Sequence, residues 1–208
     1  MSRATFRPIR PEDDATVATI IRTVMPEFGA SGPGFAIMDP EVDAMTAAYA
    51  GPRSAYYVVE VDGRIVGGGG LGPLTGAGEQ VCELRKMYFL KEARGTGAGK
   101  ALLAECIAAA RRFGYGTMYL ETLTGMDAAR TLYEKAGFSR LDAAMGKTGH
   151  FGCNRFYALA LGEKPGAEGG DRGTPGEQLG HHQKIGVGRR HRQVEGGNQA
   201  SGRDIGFD

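Results

Sequence analysis

Residues 94–99, Arg94-Gly95-Thr96-Gly97-Ala98-Gly99, constrain the fold more than any other stretch because of what flanks them. The segment before them, residues 81–90, is rich in apolar residues and has strand character. The segment after them, residues 100–113, repeats apolar residues at helical spacing: Leu102, Leu103, Cys106, Ile107, Ala110 and Phe113. A strand that enters a helix through closely spaced glycines leaves a ring of unpaired backbone N–H groups at the helix N-terminus. Such a ring holds phosphate without a side-chain charge, and the helix dipole favours the anion further.

Two widespread phosphate loops do not fit. The ATP/GTP loop requires G-x-x-x-x-G-K-[ST]; Gly99-Lys100 would supply its G-K, but Arg94 stands at the first glycine and Ala101 at the hydroxyl that binds Mg²⁺. The dinucleotide fingerprint G-x-G-x-x-G fails at Lys100, three residues after Gly97. What remains is [QR]-x-x-G-x-[GA], carried by Arg94, Gly97 and Gly99.

That pattern is similar to the acyl-CoA pyrophosphate loop of the GNAT acetyltransferase superfamily. Glu83-Leu84-Arg85-Lys86-Met87-Tyr88-Phe89 resembles the family's fourth strand, and Met118-Tyr119-Leu120-Glu121-Thr122 its fifth. Ala129-Arg130-Thr131-Leu132-Tyr133-Glu134-Lys135-Ala136-Gly137-Phe138 resembles the segment A-x-x-L-Y-E-K-x-G-F. The resemblance is dense over residues 83–138 and extends thinly over residues 6–161.

The rest of the chain is consistent with this order. Residues 4–10 alternate as a strand, and Pro11-Glu12-Asp13-Asp14 opens a helix with proline and acids in its first turn. A second helix is predicted over residues 40–49. Residues 55–61 and 64–71 are β-rich runs about Asp62-Gly63, a hairpin. The second run contains Gly67-Gly68-Gly69-Gly70, which weakens a strand and admits close approach of another backbone or a ligand. A strand over 115–123, a helix over 127–136 and strands over 138–142 and 154–161 follow. Together they predict an α/β (α+β) domain over residues 1–163: a mixed, mostly antiparallel central sheet with helices on both faces. Residues 164–208 are rich in Gly, Arg, Gln and His without periodicity, and are predicted to be a disordered tail.

Composition narrows the function classes. The formal net charge of +1 argues for neither nucleic acid nor an anionic membrane as partner. Cys82, Cys106 and Cys153 are far apart and form no C-x-x-C pair, which suits a reducing, cytoplasmic setting and no metal site. The N-terminus lacks the apolar core of a signal peptide.

The resemblance implies an acetyl-CoA-dependent N-acetyltransferase acting on a primary amine of a small molecule or peptide, and is compatible with a homodimer. Residue by residue, it makes Arg94, Gly95, Thr96, Gly97, Ala98, Gly99 and Lys100 the pyrophosphate cradle, with Arg94 either touching phosphate or tying the loop to a carboxylate. The pantetheine arm would lie along Met87, Tyr88 and Phe89, using the main chain of Met87 and Phe89. Tyr133 matches the tyrosine whose hydroxyl reaches the coenzyme sulfur. Met126 stands where the family often has an asparagine, leaving an apolar contact with pantetheine.

Glu83 occupies the strand position where some family members keep a catalytic glutamate. A period of two puts it on one face with Arg85, Met87 and Phe89. Burial would raise its pKa toward that of a base; a salt bridge to Arg85 is the other reading, and Glu121 or a water chain is a rival base. The acceptor is expected between residues 26–38 and 146–154, with Phe28 and Phe35 as an apolar wall and Glu27 or Asp39 attracting the amine. His150, in the second loop, reads as a histidine satisfied by backbone, with a catalytic histidine as the other reading. An acyl-CoA-binding sensor without turnover is the alternative function; retention of Glu83 and Tyr133 favours the enzyme.

Overall fold

In the computed structural model, which describes residues 4–162, Asp62 and Gly63 turn the chain with φ of 51° and 75°. Positive φ at both central residues is the tight hairpin geometry that matches the twist of paired strands. It joins β2 (Ala55–Val61) to β3 (Arg64–Pro73). The remaining strands are β1 (Thr5–Pro8), β4 (Val81–Phe89), β5 (Thr117–Thr122), β6 (Ser139–Leu141) and β7 (Arg155–Ala160). They form one sheet in the order β1-β2-β3-β4-β5-β7-β6, in which only β4 and β5 run parallel. The segment 164–208, expected to be a disordered tail, lies outside the described residues.

Two apolar layers cover the sheet. On one face α3 (Ala98–Arg112) lays Leu102, Leu103, Cys106 and Ile107 on Leu71, Leu84, Met118 and Leu120, and α4 (Asp127–Lys135) adds Leu132 and Tyr133. On the other, α1 (Asp14–Val24) packs Val17, Ala18 and Ile21 with Tyr56, Val58 and Met45. Each fully buried aliphatic side chain of this kind contributes about 1.5–3 kcal/mol. The helix expected over 40–49 is instead a 3-10 turn, Pro40–Asp43, followed by the short α2 (Met45–Ala48). Ala44, at φ −144°, interrupts them.

The four glycines of β3 do not break it. Gly67 faces Phe89, Gly68 and Gly70 face Tyr56, and Gly69 faces Met87 and Leu102, so large neighbours fill the space that missing side chains leave.

One expectation is overturned in β4. The register with β3 shifts between Gly68/Gly70, and Lys86 adopts φ 52°. This β-bulge inserts an extra residue and reverses the alternation beyond it. Leu84, Met87 and Phe89 therefore join the layer of α3, while Tyr88 joins that of α1. Glu83 and Arg85 do not share a face with Met87 and Phe89.

The parallel pair is short. β4 and β5 are paired only from Val81↔Thr117 to Glu83↔Tyr119, after which β5 continues against β7 and β4 against β3. The two strands part beyond Glu83, and a free edge of β4 faces the gap.

Candidate active site

The gap opens onto two adjoining cavities. The larger, a groove of about 450 Å³, is lined by Met87, Tyr88, Phe89, Arg94, Gly95, Gly97, Gly99, Lys100, Met126 and Tyr133, among others. All but two of the residues expected at the coenzyme thus meet in one groove; Thr96 and Ala98 complete the loop between them.

The loop has the features of an anion cradle. Gly95 and Gly97 hold φ of 75° and 90°, which a side chain adopts only with strain, and nothing lies within 4 Å of where a Cβ would stand. Gly97 is the N-cap of α3 and has no side chain to cap it; the Ala98 N–H reaches only a long hydrogen bond, 3.4 Å, to the Thr96 hydroxyl oxygen. The Thr96 hydroxyl donates to the Ala93 carbonyl at 2.8 Å, holding the turn. Arg94 takes its second expected role: Nε donates to the Phe89 carbonyl at 2.8 Å and Nη1 to Glu27 at 2.9 Å. Its Nη2 is buried without a partner, a donor left over beside the cradle. The groove therefore fits a diphosphate: a helix N-terminus whose first N–H is only weakly engaged, a guanidinium N–H to spare and no Cβ in the way at Gly95 and Gly97.

The second cavity, of about 60 Å³, lies on the α1 side and is lined by Phe28, Phe35, Glu83, Arg85, Lys86, Glu121 and His150. Met87, Tyr88, Met126 and Tyr133 line both spaces. Tyr133 is 6% exposed, packs against Phe138 and Tyr157, and its hydroxyl makes no hydrogen bond among the described residues. Burial raises its pKa.

Glu83 is 5% exposed, and burial pushes its carboxyl up to about 7, with Arg85 opposing and Glu121 assisting. Glu121 is held differently. Its carboxylate accepts the Tyr119 hydroxyl at 2.8 Å and the Thr148 hydroxyl at 3.0 Å. A carboxylate so occupied is less free to take a proton from substrate than Glu83, whose nearest cation is Arg85 Nε at 3.7 Å.

The two loops nominated for the acceptor do meet. The Gly152 N–H donates to the Gly34 carbonyl at 3.0 Å, and the Phe151 ring covers Gly34. His150 is not satisfied by backbone: its Nε2 lies 3.1 Å from Asp39 Oδ2, and this hydrogen bond raises its pKa. Asp39 and Glu27 are not free to attract an amine either. Asp39 is shared between His150 and Lys86, and Glu27 is taken by Arg94. Lys86 was missed from sequence. Its side chain is 1% exposed and its Nζ donates to Asp39 at 2.6 Å and to Glu41 at 2.5 Å.

Comparison with known proteins agrees with this geometry. Residues 21–138 match the model of the Acetyltransferase (GNAT) family. The chain belongs to the GNAT acetyltransferase family. It is 42% identical over 149 residues to YjgM of Escherichia coli K12, an uncharacterized N-acetyltransferase, covering 71% of this chain and 89% of that one. A GNAT acetyltransferase of Staphylococcus aureus Mu50 superposes with a TM-score of 0.67 at 21% identity, over 77% of this chain and 100% of that one. The acetyltransferase yncA of Salmonella typhimurium, solved with acetyl-CoA, gives 0.63 at 20% identity over 78% and 96%. The mixed sheet and its parted central strands are thus the GNAT fold. Among the described residues, no group of His, Cys, Asp and Glu is placed to hold a metal, and no helix is long and apolar enough to cross a membrane. All three cysteines are free thiols.

Proposed function

We propose that this GNAT acetyltransferase moves the acetyl group of acetyl-CoA to a primary amine of a small molecule or peptide by direct attack, with Glu83 as general base and Tyr133 as general acid. One observation carries the reading. A buried carboxylate with its pKa pushed up to about 7 stands where β4 and β5 part, in a cavity that shares Tyr133 with the phosphate groove.

The amine must arrive or become neutral, since an alkyl ammonium has a pKa of about 10.4. Glu83 accepts its proton as the new N–C bond forms and the thioester C–S bond breaks; a base so poised contributes on the order of 10²–10⁴-fold. Tyr133 stays protonated because burial raises its pKa, and it donates to the departing sulfur. The loop from Arg94 to Lys100 would hold the pyrophosphate. The main chain of Met87 and Phe89, on the free edge of β4, would align the pantetheine as an added strand does. The Phe89 carbonyl already accepts from Arg94, which couples the cradle to that edge. Binding of acetyl-CoA by yncA, of similar fold, supports the choice of acyl donor.

The test is a panel of primary amines offered with acetyl-CoA, followed by thiol release and product mass. Acetylated product that requires Glu83 and Tyr133 is the expected result. Tight acetyl-CoA binding with no product from any amine would favour the sensor reading.

A further inference from the structure

Arg85 lines the acceptor cavity with its side chain 20% exposed and a loose ion pair to Glu83 as its one charged contact among the described residues. Its Nε is buried without a hydrogen-bond partner, and its guanidinium makes no hydrogen bond among the described residues. The nearest carboxylate oxygen, on Glu83, is 3.7 Å from Nε, beyond hydrogen-bonding distance. With its pKa pushed up to about 7, Glu83 is also an incomplete counter-charge at neutral pH. A guanidinium cannot shed its proton to escape burial, and it has five donors to satisfy. Lys86, the neighbouring cation on the same cavity, is by contrast filled by Asp39 and Glu41.

The fold makes room for this loosely paired charge. Nη2 of Arg85 lies against Gly72, where a Cβ would collide with it. The Tyr49 ring stands 5.4 Å from the guanidinium carbon, and the Tyr49 hydroxyl is a second buried polar atom without a partner. Arg85 Nε and the Tyr49 hydroxyl are thus two buried polar groups without a hydrogen-bond partner, carried by side chains that stack on each other.

We propose that Arg85 receives an anionic group of the acceptor, and that the acceptor is a small aminocarboxylate: an α-amino acid or close analogue whose amine meets Glu83 and whose carboxylate meets the guanidinium. This rests on the amine-acetylation reading above. Glu83 and Arg85 lie two positions apart on one side of β4 before the bulge, so the amine and the anion they serve belong to one compact head group. A cavity of about 60 Å³ admits a head group of a few non-hydrogen atoms and little more. The planar fork of arginine matches a carboxylate in two parallel hydrogen bonds. The acceptor's side chain points out past the two loops, where Phe151 is 82% exposed. An N-terminal peptide amine lacks the adjacent carboxylate and leaves Arg85 without that partner.

The experiment offers free α-amino acids, the primary amides of the same amino acids and a short peptide to wild type, Arg85→Gln and Arg85→Lys, each with acetyl-CoA. Thiol release and product mass are the readouts, and acetyl-CoA affinity with a thermal melt reports folding. Wild type is expected to prefer the best amino acid over its amide by about 10²-fold in kcat/KM, mainly through KM. Arg85→Gln should bring that ratio close to one, and Arg85→Lys, which keeps the charge and serves as the folded comparison, should restore part of it. Equal use of acid and amide by wild type, preference for the peptide, or a loss in Arg85→Gln that is the same for acid and amide would overturn the inference and leave acetylation standing. No turnover of any amine by folded protein with acetyl-CoA bound would overturn the acetyltransferase reading, and this inference with it.

Discussion

Nε2 of His150 lies 3.1 Å from Oδ2 of Asp39, and this contact locks the loop after β6 onto the loop before α2 above the acceptor cavity. The other ring nitrogen, Nδ1, is 3.9 Å from Glu121 Oε2, too far for a hydrogen bond, so the imidazole stands between two carboxylates from separate parts of the chain and is bonded to one.

The hydrogen bond to Asp39 raises the His150 pKa above its ordinary 6.5, although burial opposes it. The folded state therefore binds that proton more tightly than the unfolded one. The resulting stability is complete below the unfolded value and is lost as pH rises through the folded one. Burial works to raise the Asp39 carboxyl, and hydrogen bonds from His150 and Lys86 more than reverse this, so its share of stability disappears only in acid. Thermal melts of wild type and His150→Gln should differ most below the ordinary histidine value of about 6.5 and converge as pH rises well past it. A gap that does not change with pH would refute the assignment.

Glu83→Gln should lower kcat/KM at neutral pH by on the order of 10²–10⁴-fold and recover partly at high pH, where free amine is abundant. Wild-type activity should fall as pH drops below about 7, when the carboxyl is protonated, and the variant should lack that limb. Stability has the opposite sense. A raised pKa means that ionising Glu83 costs stability as pH climbs from the ordinary carboxylate range through about 7, so the Gln variant should melt higher than wild type at alkaline pH. A pH–rate profile unchanged by the substitution would move the base to Glu121 or to water.

Tyr133→Phe removes only the hydroxyl. Packing on Phe138 and Tyr157 should survive, acetyl-CoA affinity should hold, and turnover should drop by roughly 10–10³-fold. Full turnover in the variant would return Tyr133 to a packing role.

Gly97→Val forces a β-branched residue to φ 90° at the N-cap of α3. The strain is about 1–3 kcal/mol, and the side chain enters the space the diphosphate would take. Calorimetric titration with CoA should show affinity reduced by roughly 10-fold or more, the equivalent of about 1.4 kcal/mol. Wild-type affinity in a folded variant would remove the loop from the site.

Lys86→Met removes the ammonium that Asp39 and Glu41 share, leaving Asp39 with His150 alone. Both carboxylates are a quarter to a third exposed and Asp39 keeps His150, so the loss should be about 1–2 kcal/mol, which corresponds to roughly 2–8 °C in melting temperature for a domain of this size. A melting temperature within about 1 °C of wild type would show that solvent replaces the ammonium; that is the scale of a surface change.

Much of this molecule was legible in its residues. The Asp62-Gly63 hairpin, the 94–99 loop and the helices on either side of β5 each depend on neighbours a few positions away. The succession of elements along the chain was readable too, and the family resemblance carried by the loop, the Tyr133 helix and Gly137-Phe138 implied the mixed sheet they build. The Pro40–Asp43 turn was misjudged because proline and acids mark the start of a helix without saying whether it continues past Ala44.

Within the site, legibility stopped where partners are distant. His150 in a glycine-flanked loop carries no sign that Asp39, 111 positions away, would face it. The roles open to Arg94 were readable; the choice of Glu27, 67 positions away, was not.

The sequence by itself determined most of the elements and the glycine loop ahead of α3, because periodicity and turn chemistry act over short stretches, while the placing of Glu83 and Tyr133 in one site was an expectation drawn from the family resemblance. Only the tertiary structure decided which face each residue of β4 presents. The bulge at Lys86 exists because β3 offers one residue, Gly69, opposite two, and because Asp39 and Glu41 wait 47 and 45 positions away to take the ammonium. That one inserted residue keeps Met87 and Phe89 on the α3 face and leaves Glu83 and Arg85 on the other. There burial beneath two loops, a property of no single segment, raises the pKa of Glu83 and leaves Nε of Arg85 without a hydrogen bond.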